Sequence, residues 1–511
     1  MGLPQAGRAP DLQDIIDGLL TRLPTEIDRS RQVYSNRDVD LAEIDSIGFD
    51  MDYTLALYRQ DRMDELAVDK TLERLVAERH YPSSIMKLSF DPEFAIRGLL
   101  IDKLHGNVLK VDAGRHVVKA YHGFQPVEDL SQYTYHREAV RIDPHRFHLI
   151  DTLFALPEVG LFAAMVEHFE REGRKVDFAQ VFTDIRYCID LAHRDGSLKA
   201  AILGDLDKYV VRDDRLAPTL HKFRSAGKQL FLMTNSLHDY TDRVMEHLLD
   251  GQTGTYSSWR HYFDVVITGA RKPTFFTGED PFLELDDHGR KRREVDGPLV
   301  RGVIYQGGNL RHFEKQATAV GHRVLYVGDH IYGDILKSKK TSAWTTCMLV
   351  QEMSSELQSA DTLRNEVARL RALEEEDHRL SEELAYERHF LHRLEQIVKL
   401  MDPTAAPSDS QMTPETEAEL TDSIRRLRQS TQRMKARRQA LVAELVALDR
   451  ELESRINPYW GPIFQARNEL SIFGSQVNLF ADLYTSSVGN FVAYSPIQYF
   501  RARRALMPHE Q

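Results

Sequence analysis

The stretch Gly48-Phe49-Asp50-Met51-Asp52-Tyr53-Thr54-Leu55 decides how this chain is read. It closes the run from Ile44 to Asp50, largely apolar and ending in acid, the pattern of a buried strand that delivers side chains at its C-terminal end. If the chain then leaves in a tight loop, Asp50 and Asp52 both face one small site. In isolation, Asp-x-Asp-x-Thr reads as well as acids and a threonine in a turn or helix cap.

Working outward, three more apolar runs have the same character: Gln229 to Thr234, Asp264 to Thr268 and Val324 to Asp329. Thr234-Asn235-Ser236 follows the first. Lys272, in Gly269-Ala270-Arg271-Lys272-Pro273, follows the second. Gly328-Asp329-His330-Ile331-Tyr332-Gly333-Asp334 closes the third. Strands alternating with helical stretches predict a parallel α/β sheet, which binds ligands at the carboxyl ends of its strands. The stretch Gly106 to Gly123 reads as a β meander.

This order of Asp-x-Asp, Thr/Ser, Lys and paired Asp resembles the four motifs of the haloacid dehalogenase (HAD) superfamily. The resemblance implies a HAD-like Rossmannoid parallel core, an inserted cap and a Mg²⁺-dependent phosphatase. Attack by an anion on a doubly charged phosphomonoester is blocked until its charge is screened, and Mg²⁺ favours a few carboxylates plus waters. Asp50 and Asp329 would bind the metal with the main-chain carbonyl of Asp52, and Asp334 would support them. Asp50 is the expected nucleophile and Asp52 the general acid–base. Thr234 and Lys272 would hold the phosphoryl oxygens.

Several stretches are also similar to the cytosolic purine 5′-nucleotidase family, the type preferring IMP and GMP. They are Phe49 to Ala56, Gly106 to Asp112, Thr234 to Ser236 and Gly328 to Lys340. That resemblance makes Phe154 a base-stacking ring and Arg186, Asp190, His193 and Lys199 a nucleotide-binding run, with Asn235 and Asp151 beside the substrate. Arg186, Asp190 and His193 are spaced four and three apart, so they share one helical face. The family usually has Asn where Asp151 stands. Arg141, Lys340 and Gln476 match a nucleotide-effector site of the family. However, Leu479 and Phe480 replace an Arg and a Tyr there, and Tyr332 replaces a Phe, so weak or absent activation by ATP is expected. A homo-oligomer, dimer or tetramer, is implied by the resemblance alone.

The chain has 511 residues, 42% hydrophobic, enough for two or three structural units. We expect an N-terminal arm at 1–40, a catalytic core at 41–60 and 186–352, and a cap with substrate recognition at 61–185. A helical hairpin follows at 353–455, and 456–511 return to the core. The hairpin rests on leucine-rich steps of three, four and seven, such as Leu380, Leu384 and Leu391, then Leu441, Leu445, Leu448 and Leu452. A leucine stripe of this kind is normally core, so the hairpin reads as a structural or assembly element. A short amphipathic helix is expected from Asp11 to Leu23.

The formal net charge is -12, with acids and bases interleaved, which gives no case for nucleic acid or an anionic membrane. No apolar run reaches the ~18 residues of a membrane span. Two cysteines and no secretory leader point to a reducing, cytoplasmic location. The expected activity is hydrolysis of 6-oxopurine nucleoside monophosphates, possible phosphate transfer to another nucleoside included. The alternatives are a phosphatase for another phosphomonoester and an inactive relative acting as a scaffold.

Overall fold

The computed structural model describes residues 27–510 except 133–134, 136–138, 253–254, 317–319, 401–412 and 505. The helix expected from Asp11 to Leu23 lies outside the described residues, as does most of the loop between the hairpin helices. The chain divides into two compact units, 1–358 with 462–511, and 359–461.

The first unit is built on a ten-stranded sheet. Its strands are β1 (Tyr34–Ser35), β2 (Ser46–Phe49), β3 (Gln229–Met233), β4 (Val265–Thr268), β5 (Phe282–Leu285), β6 (Lys291–Val295), β7 (Ile304–Gly307), β8 (Val324–Gly328), β9 (Thr345–Leu349) and β10 (Leu483–Thr485). The spatial order is β1-β10-β9-β8-β2-β3-β4-β7-β5-β6. The seven strands from β10 to β7 run parallel, and β1, β5 and β6 are antiparallel edges. β2 and β8 are buried at every position, which is why they read as continuous apolar runs. β2 lies between β8 and β3, so the loops after these three strands open onto one crevice.

The insertion after β2 carries α1 (Gln60–Arg79), a five-stranded antiparallel sheet, α2 (Leu156–Arg171) and α3 (Phe178–Arg194). The expected meander is present as Asn107–Val111 paired with Val117–His122. The cap boundary expected at 185/186 is wrong: it would cut α3 in its middle. The chain regains the core at Val210–Val211, which pairs with Leu57–Tyr58. Residues 1–40 are not wholly an arm either, because β1 extends the central sheet.

In the second unit, α4 (Arg364–Leu400) and α5 (Pro414–Ile456) form the expected antiparallel hairpin. Asp377 pairs with Arg438 and Glu395 with Arg428, so position rises on one helix as it falls on the other. Leu380, Leu384, Ile424, Leu441 and Leu452 are buried. The hairpin unit runs later than expected, 359–461 rather than 353–455. Both cysteines, Cys188 and Cys347, are free and buried. No helix among the described residues is long and apolar enough to cross a membrane.

Candidate active site

The four motif residues sit just past neighbouring strand ends: Asp50 after β2, Thr234 after β3, Lys272 after β4 and Asp329 after β8. Asp50 Oδ1 accepts the Met51 N–H at 2.7 Å and lies 2.9 Å from Lys272 Nζ. Lys272 also donates to Asp334 Oδ1 at 2.6 Å and to the Tyr326 hydroxyl at 2.9 Å. An ammonium has three protons, and all three have acceptors here. Burial pulls the Lys272 ammonium down, but Asp334 and Asp50 outweigh it and hold it well above its ordinary value.

Ligand oxygens of Asp50, Asp329 and Asp334 all lie within 4.8 Å of one another. Burial pushes the Asp50 carboxyl up, against the pull of Lys272. Burial raises Asp329 as well, and the charges of Asp334 and Asp50 add to it. Asp329 Oδ2 is buried without a hydrogen-bond partner. An orphaned carboxylate oxygen beside two more acids is costly unless a cation meets it. The donors are all hard oxygens, so the cluster fits Mg²⁺ in chemistry. Asp334 is already engaged by Lys272, which suits a supporting acid better than a ligand.

Asp52 is held on both oxygens. Tyr58 donates to Oδ1 at 2.6 Å and Ser236 Oγ to Oδ2 at 2.7 Å. The Tyr58 and Tyr240 hydroxyls are 2.9 Å apart, and Lys199 Nζ donates to Ser236 Oγ at 3.2 Å. Burial, then the Asp52 charge, push the Tyr58 hydroxyl well above its ordinary value. Thr234 is fully buried and its hydroxyl oxygen accepts the Ser236 N–H at 3.0 Å. Asn235 clamps the main chain of Lys272, accepting its N–H at 2.6 Å and donating to its carbonyl at 3.0 Å.

A cavity of about 350 Å³ opens beside these groups. Asp52, Asn235 and Ser236 line it from the core side, and Phe154, Arg186, Asp190, His193 and Lys199 from the insertion. The shared helical face expected of Arg186, Asp190 and His193 is therefore real and turned to the cavity. The Phe154 and His193 rings stand at 86° to each other on this wall, centroids 5.7 Å apart. Phe154 is braced edge-on by Tyr53, ring centroids 4.6 Å apart. Burial, with Lys199 nearby, lowers the His193 pKa and favours a neutral imidazole. Asp151 is not in the lining, where Thr152 takes its place.

Lys340 Nζ lies 6.0 Å over the Phe480 ring, on the helix Ile472–Phe480 that carries Gln476 and an exposed Leu479. Arg141 is exposed between Val140 and Ile142, which share an apolar cluster with Ile472, the first residue of that helix.

Three contributors escaped sequence reasoning. Tyr58 follows the first motif but carries no motif letter of its own. Arg97, 1% exposed, donates to the Asp329 carbonyl at 2.9 Å and binds both oxygens of Glu352 at 2.8 and 2.6 Å. Glu158 is buried in the cavity wall and takes Arg186 Nη1 on both oxygens at 3.1 Å. Glu158 had a signal: it is the lone charge in the apolar run Leu156 to Val166, and a buried lone charge must be paired.

Residues 33–511 match the model of the 5′ nucleotidase family. A 5′-nucleotidase domain-containing protein 2 of Rattus norvegicus is 29% identical over 517 residues, covering 98% of this chain and 84% of its own. The Homo sapiens protein of that name is 33% identical over 370 residues, covering 70% and 69%. A 5′-nucleotidase domain-containing protein of Dictyostelium discoideum is 29% identical over 489 residues, covering 94% and 75%.

Proposed function

The chain belongs to the 5′-nucleotidase family and is a phosphoric monoester hydrolase, and from that premise we propose hydrolysis of 6-oxopurine nucleoside 5′-monophosphates, IMP and GMP, through an aspartyl-phosphate on Asp50. The observation that carries this reading is one cavity with two kinds of wall. The Asp52 side holds phosphate chemistry, and the cap side offers a ring, a guanidinium and a carboxylate matched to a purine edge.

Asp50, Asp329 and the Asp52 main-chain carbonyl would hold Mg²⁺, which when bound neutralises the phosphoryl oxygens. Lys272 and Thr234 steady the equatorial oxygens, and Lys199 supplies a further cation at the same end. An Asp50 carboxylate oxygen forms a bond to phosphorus as the bond from phosphorus to the ribose O5′ breaks, and Asp52 passes a proton to that oxygen. Water then attacks the acyl phosphate, Asp52 takes its proton, and phosphate leaves with Asp50 restored. Asp52 must therefore serve in both protonation states. Its partners are hydroxyls, and a hydroxyl can donate to a carboxylate or accept from a carboxyl group. A nucleoside in place of water at the second step would turn hydrolysis into phosphate transfer.

The test is phosphate release from a panel of nucleoside monophosphates and sugar phosphates, with Mg²⁺ and with chelator. IMP and GMP should be hydrolysed faster than CMP and UMP, and chelator should stop the reaction. A pyrimidine or sugar-phosphate preference overturns the purine reading in favour of another phosphomonoester. Release from none of them would leave a scaffold role.

A further inference from the structure

We infer that Glu158 is a specificity-determining residue: by engaging Arg186 it leaves the Asp190 carboxylate to rank a 2-amino-6-oxopurine, guanine, above hypoxanthine. This rests on the function proposed above and names its substrate more finely.

Arg186 sits between two carboxylates and is bound to one. Glu158 takes Nη1 at 3.1 Å on each oxygen, whereas Asp190 Oδ1 is 4.0 Å from Nη2, beyond a hydrogen bond. The side chain of Glu158 is 4% exposed and that of Asp190 is 55% exposed. Burial pushes the Glu158 carboxyl up to about 7 against the pull of Arg186, so above that pH it is a carboxylate that has to keep its partner, and the one guanidinium charge is matched there. Asp190 lines the cavity as the surplus acid. A surplus carboxylate rewards a ligand that brings donors. Guanine offers N1–H and the 2-amino group side by side, in the spacing of a bidentate carboxylate contact, whereas hypoxanthine offers N1–H alone. His148 Nε2, 3.3 Å from Arg186 Nη1, adds no competing charge while it is neutral, and burial followed by Arg186 holds its pKa down at about 4.

The experiment measures the GMP:IMP ratio of kcat/KM in competition, and the dissociation constants of both nucleotides on the Asp50→Asn variant. Competition makes the ratio independent of the active fraction, so partial misfolding does not distort it. We expect a wild-type ratio of about ten, the value of one added hydrogen bond to a charged group. Glu158→Gln should bring it toward one, because the amide releases the guanidinium to Asp190, and Asp190→Asn should do the same. An unchanged ratio in Glu158→Gln, or IMP favoured by the wild type, overturns the inference. If neither nucleotide is hydrolysed but GMP binds more tightly, the hydrolase reading fails and the inference stands. Equal dissociation constants overturn the inference whatever the turnover.

Discussion

The Tyr58 hydroxyl donates to Asp52 Oδ1 at 2.6 Å, and Tyr58 in turn lies 2.9 Å from the hydroxyl of Tyr240. The partner that fixes the acid–base residue thus comes from the short strand Leu57–Tyr58 where the chain enters the cap. Tyr58→Phe removes one hydrogen bond and little volume. It should lower kcat about tenfold, the value of one charge-assisted bond, with KM within about twofold. A rise in KM at unchanged kcat would place Tyr58 in binding instead.

Asp50 and Asp52 should separate cleanly in steady-state and binding measurements. Asp50→Asn should abolish turnover, since an amide is no nucleophile and a poor metal ligand. Asp52→Asn should keep nucleotide binding while cutting kcat by about 10²–10⁴, the range for one general acid–base group. Full activity in Asp50→Asn would exclude the aspartyl-phosphate.

The parallel core was legible because its strands are buried on both faces and end in chemistry. The run read from Gln229 to Thr234 is Gln229–Met233, and that from Asp264 to Thr268 is Val265–Thr268. β1 was not legible: two half-buried residues become a strand only through pairing of Tyr34 with Tyr484, far along the chain. The β5–β6 edge was missed because β6, Lys-Arg-Arg-Glu-Val, is exposed except at Val295 and shows no apolar run. Within the site, residues acting from strand ends were readable, since motif order reports them. Those acting from across the fold were not. Arg97 reaches Asp329 by tertiary packing, which no local spacing records.

Arg97 should prove a stability residue first. Its fully buried guanidinium satisfies Glu352 and the Asp329 carbonyl together and lies 4.8 Å over the Phe473 ring. Arg97→Met strands the Asp329 carbonyl and leaves Glu352, whose side chain is 24% exposed, without its partner. The cost should be about 1–3 kcal/mol, that of leaving a buried acceptor unsatisfied. Denaturant unfolding reads it, and a loss under about 1 kcal/mol would show that water reaches Glu352 and replaces the guanidinium.

Asp64 links stability to pH. It is 1% exposed on α1, and the Gln60 amide donates to its Oδ1 at 2.7 Å. Burial pushes its carboxyl from 3.8 up to about 8, with Gln60 opposing. The sign follows from proton counts. Between these values the folded chain keeps a proton that the unfolded chain has released. Stability from this group is therefore complete below about 4 and is lost as pH rises to about 8. The slope is at most about 1.4 kcal/mol per pH unit for one proton. Asp64→Asn keeps the shape and cannot ionise, so it removes this slope. Unfolding free energies of wild type and variant, measured from pH 5 to pH 8, should diverge in the variant's favour as pH rises. Parallel curves would mean that Asp64 is ionised in the folded protein throughout and that its burial is relieved by a partner or water.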